Sequence, residues 1–103
     1  MALSNEQKKR FRTIGHHLKP VVIVADKGIT ENLSAELERA LEQHELIKVK
    51  LNCFDKDDKQ QLTEHILEEH KASLAQSIGK IILIYRAAKK PNPKLSNILR
   101  FVD

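Results

Sequence analysis

Apolar residues recur with two different periods along the 103-residue chain, and each change of period predicts a change between helix and strand. Ser4 and Gln7 have the spacing of a helix-capping box, which predicts a first helix over residues 4–16. Leucine and isoleucine recur at helical spacing in two further segments, over residues 30–44 and from Asp55 onward. The pattern therefore predicts about three helices.

Four other segments have the composition of β-strands: residues 21–24, 46–51, 72–78 and 80–86. The first is an uninterrupted β-branched run, which is typical of a strand covered on both faces. In the second, Lys48 and Lys50 alternate with apolar residues, as in a strand with one exposed face. The intervening helix predicts that these two strands are parallel with a right-handed crossover, and Gly79 between the last two predicts a hairpin.

These elements predict an α/β fold, a single-domain open sandwich in which a mixed sheet of about four strands packs with about three helices. The domain is expected to span residues 1–87. Beyond it, Pro91, Pro93 and several lysines predict a basic, irregular C-terminal tail over residues 88–103. Four apolar residues of this tail could still dock on the domain: Leu95, Ile98, Leu99 and Phe101.

The net charge of +4 is unevenly distributed along the chain. Residues 1–30 contain six basic and two acidic residues, residues 31–70 contain five and eleven, and residues 71–103 contain seven and one. Two basic ends around an acidic middle can form one positive face after folding, and such a face attracts phosphates. The same distribution also fits a generally basic protein without a special partner.

Composition and spacing argue against several classes of function. A single cysteine allows no intramolecular disulfide, and the longest apolar run is far too short to cross a bilayer, so a cytoplasmic location is expected. His65 and His70 are five residues apart and do not share a helical face, so we expect solvent-exposed histidines and no metal site. Polar candidates for catalysis are scattered over predicted helix surfaces, so neither an enzyme nor a cofactor is expected.

The turn over residues 25–28 is the strongest local candidate for a binding site. It joins a predicted strand to the N-terminus of a helix, where unpaired backbone N–H groups and the helix dipole attract anions. Lys27 adds a cation, and Gly28 can adopt the positive φ that lets a phosphate backbone approach closely. By itself this pattern is weak, because many such turns contain Lys-Gly for steric reasons.

Three blocks of sequence resemble, in order and spacing, the CRM domain of the YhbY-like family: LKPVVIVADKGIT over 18–30, LIKVKL over 46–51 and IGKIILIYR over 78–86. The resemblance covers nearly the whole chain. It implies a fold similar to the C-terminal domain of translation initiation factor three and binding of structured RNA, and bacterial stand-alone members are associated with precursors of the large ribosomal subunit. The family's Gly-x-x-Gly loop reads Ala25-Asp26-Lys27-Gly28 here, with alanine replacing the first glycine.

We therefore expect a non-catalytic, monomeric RNA-binding protein that acts in ribosome maturation. Its expected partners are precursor large-subunit ribosomal RNA and the pre-ribosomal large subunit, with neither DNA nor a membrane involved. Four aromatic residues and no tryptophan favour recognition of backbone and shape over base stacking. The expected RNA-binding residues, provided that the cations share one face, are Arg10, Arg12, Lys19, Ala25, Asp26, Lys27, Gly28, Lys48, Lys50 and Arg86.

A protein-interaction adapter is the alternative. The acidic second and third helices could dock basic ribosomal proteins through Glu31, Glu38, Glu42, Glu64 and Glu68. The two hypotheses differ in where the charges lie after folding. Basic segments that converge on one face favour RNA, whereas dispersed basic residues favour the adapter.

Overall fold

Capping side chains determine where the three long helices begin. The computed structural model describes residues 3–25, 28–52 and 55–100, with the backbone alone at Arg100. The elements are α1 Asn5–Gly15, β1 Pro20–Val24, α2 Glu31–His44, β2 Leu46–Leu51, α3 Lys56–His70, β3 Ser73–Ile78, β4 Ile81–Tyr85 and α4 Asn97–Arg100. Side-chain oxygens of Ser4, Thr30 and Asp55 accept hydrogen bonds from the first turns of α1, α2 and α3.

The four strands form one mixed sheet in the order β1-β2-β4-β3. β1 and β2 are parallel, whereas β4 is antiparallel to both of its neighbours. Gly79, at a φ of 54°, lies in the tight turn between β3 and β4, which form the predicted hairpin. The predicted α/β fold with a mixed four-stranded sheet is confirmed.

Apolar side chains pack against both faces of the sheet. On one face, which we call the helical face, α2 and α3 cover the main core; this core includes Leu37, Leu41, Val49, Ile66 and Ile84. On the other face, Phe11 and Ile14 of α1 pack on residues of β2, β3 and β4. Gly15 allows this close approach, because a Cβ atom there would lie 2.9 Å from a methyl carbon of Leu83.

The prediction that β1 is covered on both faces is wrong. Val22 and Val24 are buried on the helical face, but Val21 is 50% exposed and Ile23 is 55% exposed on the other. The reason is that α1 packs against β2 and β3 and leaves β1 uncovered. A β-branched run is buried on both faces only where helices cover both, and here a single crossover helix covers one.

The C-terminal segment packs on the domain through polar groups. Ser96 is fully buried and donates a hydrogen bond to Glu45, and the Asn97 side chain donates to the carbonyl of Leu46, both at 2.7 Å. Ile98 packs with the apolar residues around α1. Residues 96–98 therefore belong to the packed body, so the division expected at residue 87 does not coincide with a break in packing. Phe101 lies outside the described residues.

No helix in the part of the chain that the structure describes is long and apolar enough to cross a membrane.

Candidate nucleic-acid interface

Part of the sheet carries no covering helix. We call this surface the open face; it lies on the same side of the sheet as α1 and consists of Val21, Ile23, Lys48, Lys50, Ile78 and Ile81. Side chains alternate between the two faces of a strand, so Lys48 and Lys50 point to the side opposite the buried Ile47 and Val49. The predicted alternation in β2 thus places both lysines on the open face.

Lys48 lines two grooves, one on the open face and one at its border, where His44 of α2 also takes part. The first, of about 160 Å³, is lined by Gly15, His16, Lys48, Gln76, Ile78, Ile81 and Leu83. The second, of about 250 Å³, is lined by His17, Leu18, Lys19, Val21, His44, Ile47, Lys48 and Asn97. Lys19 and Lys48 therefore line the same groove. Among the described residues, neither groove is lined by an aspartate or a glutamate, so the local field is positive.

The turn after β1 lies at the end of the sheet where Lys50 is found. Ile23 is paired with Lys50, and the N–H of Asn52 donates to the carbonyl of Val24 at 2.8 Å, which ties the ends of both strands together. Across the turn, the N–H of Gly28 donates to the carbonyl of Ala25 at 2.9 Å. Val24 is buried and Ile29 packs on the main core, so both ends of this short turn are anchored.

Gly28 has a φ of 70°, which confirms the expected left-handed backbone. Ala25 is exposed and does not share this conformation, because the non-glycine residues with positive φ in the described segments are Glu45 and Lys71. The alanine that replaces the first glycine of the Gly-x-x-Gly pattern therefore introduces no backbone strain. Asp26 and Lys27 lie outside the described residues.

Arg10 and Arg12 are exposed on α1, on the same side of the sheet as the open face. Arg10 lies close enough to Tyr85 to affect the pKa of its phenol. Burial and the charge of Glu45 raise this pKa, and the positive charge of Arg10 opposes the rise. Tyr85 packs on Phe11 with 4.7 Å between ring centroids, as expected for a core residue. Because Tyr85 is paired with Leu46, at the end of β2 opposite Lys50, Arg10 lies at the far end of the sheet from the turn.

Arg86 does not join the other cations. It lies on the helical face, where its guanidinium contacts both carboxylate oxygens of Glu38 at 2.8 and 2.7 Å and an oxygen of Glu42 at 3.2 Å. It also donates to the carbonyl of His70 at 3.2 Å. The pKa of Glu38 is lowered to about 2, mainly by the hydrogen bond from Arg86 and to a smaller extent by the one from His70. The same hydrogen bond to Glu38 raises the pKa of Arg86. The charge of Arg86 is therefore matched within the protein.

The expectation that His70 is solvent-exposed is wrong, whereas His65 is exposed and pairs with Glu69 at 2.9 Å. His70 is buried, with its Nδ1 atom 3.0 Å from Glu38, because the last turn of α3 packs beside α2 under the Arg86 side chain. Its other ring nitrogen lies 3.4 Å from the hydroxyl of Ser34. The described residues contain no group of three or more histidine, cysteine or acidic side chains that could hold a metal ion.

Two features of this surface were missed by sequence reasoning. Lys80 is exposed in the turn before β4, at the same end of the sheet as Lys50, and its carbonyl accepts a hydrogen bond from the N–H of Leu51. Ile78 is 61% exposed on the open face. The predicted hairpin places Lys80 in its turn, but the pairing of β4 with β2, which brings that turn beside the end of β2, and the exposure of Ile78 appear only in the folded structure.

Together these features describe a single-domain α/β protein with a basic open sheet face and an acidic helical side. The model of the CRS1 / YhbY (CRM) domain matches residues 3–86. The chain therefore belongs to the CRS1 / YhbY (CRM) domain family, and the predicted family resemblance is confirmed.

Relatives support this assignment over nearly the whole chain. The chain is 57% identical over 101 residues to the "Probable RNA-binding protein PA4753" of Pseudomonas aeruginosa, which covers 98% of this chain and 97% of that protein. It is 42% identical over 93 residues to the "RNA-binding protein" of Haemophilus influenzae, covering 90% and 94%. The solution structure of SAV1595 from Staphylococcus aureus has a TM-score of 0.75 at 36% identity, covering 85% of this chain and 92% of that one.

Proposed function

We propose that this protein is a non-catalytic RNA-binding protein that acts in maturation of the large ribosomal subunit. In this proposal it binds precursor ribosomal RNA through the open face and the turn over residues 25–28, as a cytoplasmic monomer without a cofactor. The family assignment and the names of the relatives support RNA as the partner. The ribosomal role rests on the family resemblance.

The separation of charge between the two sides of the sheet is the observation that carries the proposal. Lys19 and Lys48 line grooves in which no described acidic residue takes part, and Lys50 lies on the same open face, between Ile23 and Ile81. Exposed carboxylates such as those of Glu64 and Glu68 belong to α3, which packs on the helical face. A polyanion is attracted to the first side and repelled by the second, which would orient RNA as well as bind it.

The turn would contribute backbone contacts beside these lysines. Apart from Gly28 itself and its chain neighbours, no atom of the described residues lies within 4 Å of the place where a Cβ of Gly28 would be, so the backbone there is open to a phosphate. Lys27 would add a charge next to it. The proposed interface thus combines the turn with Arg10, Arg12, Lys19, Lys48 and Lys50, and omits Arg86 because its charge is already paired with Glu38 and Glu42.

A salt titration of RNA affinity tests the proposal. Contact with about five phosphates gives a slope of log affinity against log salt of roughly −3.5 on single strands and −4.5 on a duplex. With large-subunit ribosomal RNA fragments, Lys48→Ala/Lys50→Ala should make the slope shallower by about 1.4 on single strands, and Lys27→Ala by about 0.7.

The matched control is Arg39→Ala/Lys89→Ala, which removes two exposed cations beside α2 on the helical face. This variant should keep the wild-type slope. An equal change of slope in the two double variants would show that the affinity comes from net charge alone. The proposal is refuted if, at near-physiological salt, the protein binds the RNA no more tightly than a charge-matched basic protein does.

The adapter hypothesis loses part of its surface in the folded protein. Glu38 and Glu42 are engaged by Arg86, and Glu42 also accepts a hydrogen bond from the backbone of Lys89 at 2.9 Å. Two of the five carboxylates assigned to a protein partner are thus already occupied.

A further inference from the structure

Four side chains form a row that crosses all four strands of the open face. Ile23 of β1 is paired with Lys50 of β2, Lys50 with Ile81 of β4, and Ile81 with Ile78 of β3. Paired residues in neighbouring strands point to the same side of a sheet, so three aliphatic side chains and one lysine lie next to each other. We call these four residues the aliphatic row.

The row lies beyond the end of the helix that covers the rest of this side. α1 ends at Gly15, which rests on Leu83, and the first groove runs from there to Ile78 and Ile81. Ile23 and Ile78 are 55% and 61% exposed, although the other face of the same sheet carries the main core. Single exposed aliphatic residues are ordinary, but a contiguous exposed apolar patch is typical of a binding surface.

The charges around the row indicate what covers it. Lys50 lies within the row and Lys48 lines the adjoining groove, whereas none of the described groove residues is acidic. A partner that fits this surface therefore needs an apolar part that lies on the row and a negative charge close enough to contact Lys50. A nucleotide does this, because the two faces of its base are apolar and its phosphate is an anion.

Only an unpaired nucleotide can offer the face of its base. In an A-form duplex the base faces are stacked inside the helix, and the groove edges present hydroxyls and phosphates instead. Gln76 and His16 line the same groove, so an amide and an imidazole would be available to hydrogen-bond the polar edge of a base that rests on Ile78 and Ile81.

We propose that the aliphatic row is the binding site for the bases of an unpaired RNA segment, whose phosphates contact Lys48 and Lys50. This inference rests on the proposed RNA-binding function and specifies which class of RNA the open face takes. It departs from the expectation that recognition leans on backbone and shape, because aliphatic side chains here provide an apolar contact for bases that the scarce aromatic residues do not.

The test compares three RNAs of one sequence: an unpaired strand of about ten nucleotides, the same strand with abasic sites at its centre, and the full duplex. Fluorescence anisotropy, measured at several salt concentrations, gives the affinity of each RNA and its salt slope for the wild type and for Ile23→Thr/Ile78→Thr. Threonine keeps the β-branched shape that suits a strand, and both positions are exposed, so the variant should stay folded; its melting curve checks this. The control is Leu99→Thr, an exposed apolar residue on α4 outside the row.

The wild type should prefer the unpaired strand to both the abasic strand and the duplex. The double variant should lose about tenfold in affinity for the unpaired strand and keep its duplex affinity and its salt slope, because only apolar contact is removed. Salt-dependent binding that does not distinguish the three RNAs, or that is indifferent to both substitutions, would overturn this inference and leave the proposed function intact. Failure to bind any RNA, large-subunit fragments included, would refute both.

Discussion

Arg86 links three elements on the helical face, and its removal is the perturbation whose size the structure best defines. Arg86 directly follows β4 in the chain. Its guanidinium contacts both carboxylate oxygens of Glu38 and one of Glu42 on α2, and it donates a hydrogen bond to the carbonyl of His70, the last residue of α3. Replacement by glutamine removes the charge and most of these bonds. We expect Arg86→Gln to destabilise the fold without weakening RNA binding by the folded protein.

The expected loss lies between two limits. Exposed ion pairs contribute about 0–1 kcal/mol, and the loss of one partner from a fully buried pair costs about 3–5 kcal/mol. The Arg86 side chain is 17% exposed, but Glu38 and Glu42 are 55% and 39% exposed and can be rehydrated. We therefore expect a loss of about 2 kcal/mol, which lowers the melting temperature of a domain of this size by roughly 10 °C.

Urea unfolding followed by circular dichroism measures the free energy of unfolding, and anisotropy well below the melting temperature measures RNA affinity. The matched control is Arg39→Gln, because Arg39 is exposed on α2 beside the same cleft. Its stability should stay within about 0.5 kcal/mol of the wild type. The reasoning fails if Arg86→Gln is as stable as this control, or if it loses RNA affinity as strongly as Lys48→Ala/Lys50→Ala does.

Three further substitutions test other parts of the structure by urea unfolding. Glu38 has a folded pKa of about 2 against an ordinary 4.5, so its contribution is present above about pH 4.5 and is lost as the pH falls towards 2; after discounting for exposure it is about 1 kcal/mol, and Glu38→Gln should flatten the stability curve in that window. Asn97→Ala leaves the buried carbonyl of Leu46 unpaired and should lower the free energy of unfolding by about 1–2 kcal/mol. An unchanged stability would contradict the packing of the C-terminal segment. Gly28→Ala should cost about 1 kcal/mol through its positive φ alone, and an unchanged stability would contradict that backbone conformation.

Local patterns in the sequence were sufficient for most of the fold. Capping residues and helical spacing located the helices, and the alternation around Lys48 and Lys50 assigned one face of β2 correctly. β1 could not be assigned in this way, because all of Val21 to Val24 are apolar and such a run contains no information about which side is exposed. Its exposure depends on how far α1 extends over the sheet, which is a property of tertiary packing.

The site was only partly predictable for a related reason. Arg86 and Glu38 are 48 residues apart in the chain, and Ser96 and Glu45 are 51 apart, so their pairing appears only after folding. Hydropathy classes all four as surface residues, although Ser96 and Glu45 are buried together. The distribution of charge along the sequence thus identified the lysines of the open face, but it could not distinguish them from Arg86, whose charge pairs with Glu38 and Glu42 inside the protein.

The most direct test of the central claim is to map the RNA contact surface in solution. Amide resonances of the isotope-labelled protein would be followed by NMR during titration with a large-subunit ribosomal RNA fragment. Our account predicts that the shifts concentrate at Ile23, Gly28, Lys48 and Lys50, while Glu64 and the rest of the acidic side of α3 stay unchanged. Shifts concentrated on α2 and α3, with the open face unaffected, would contradict it.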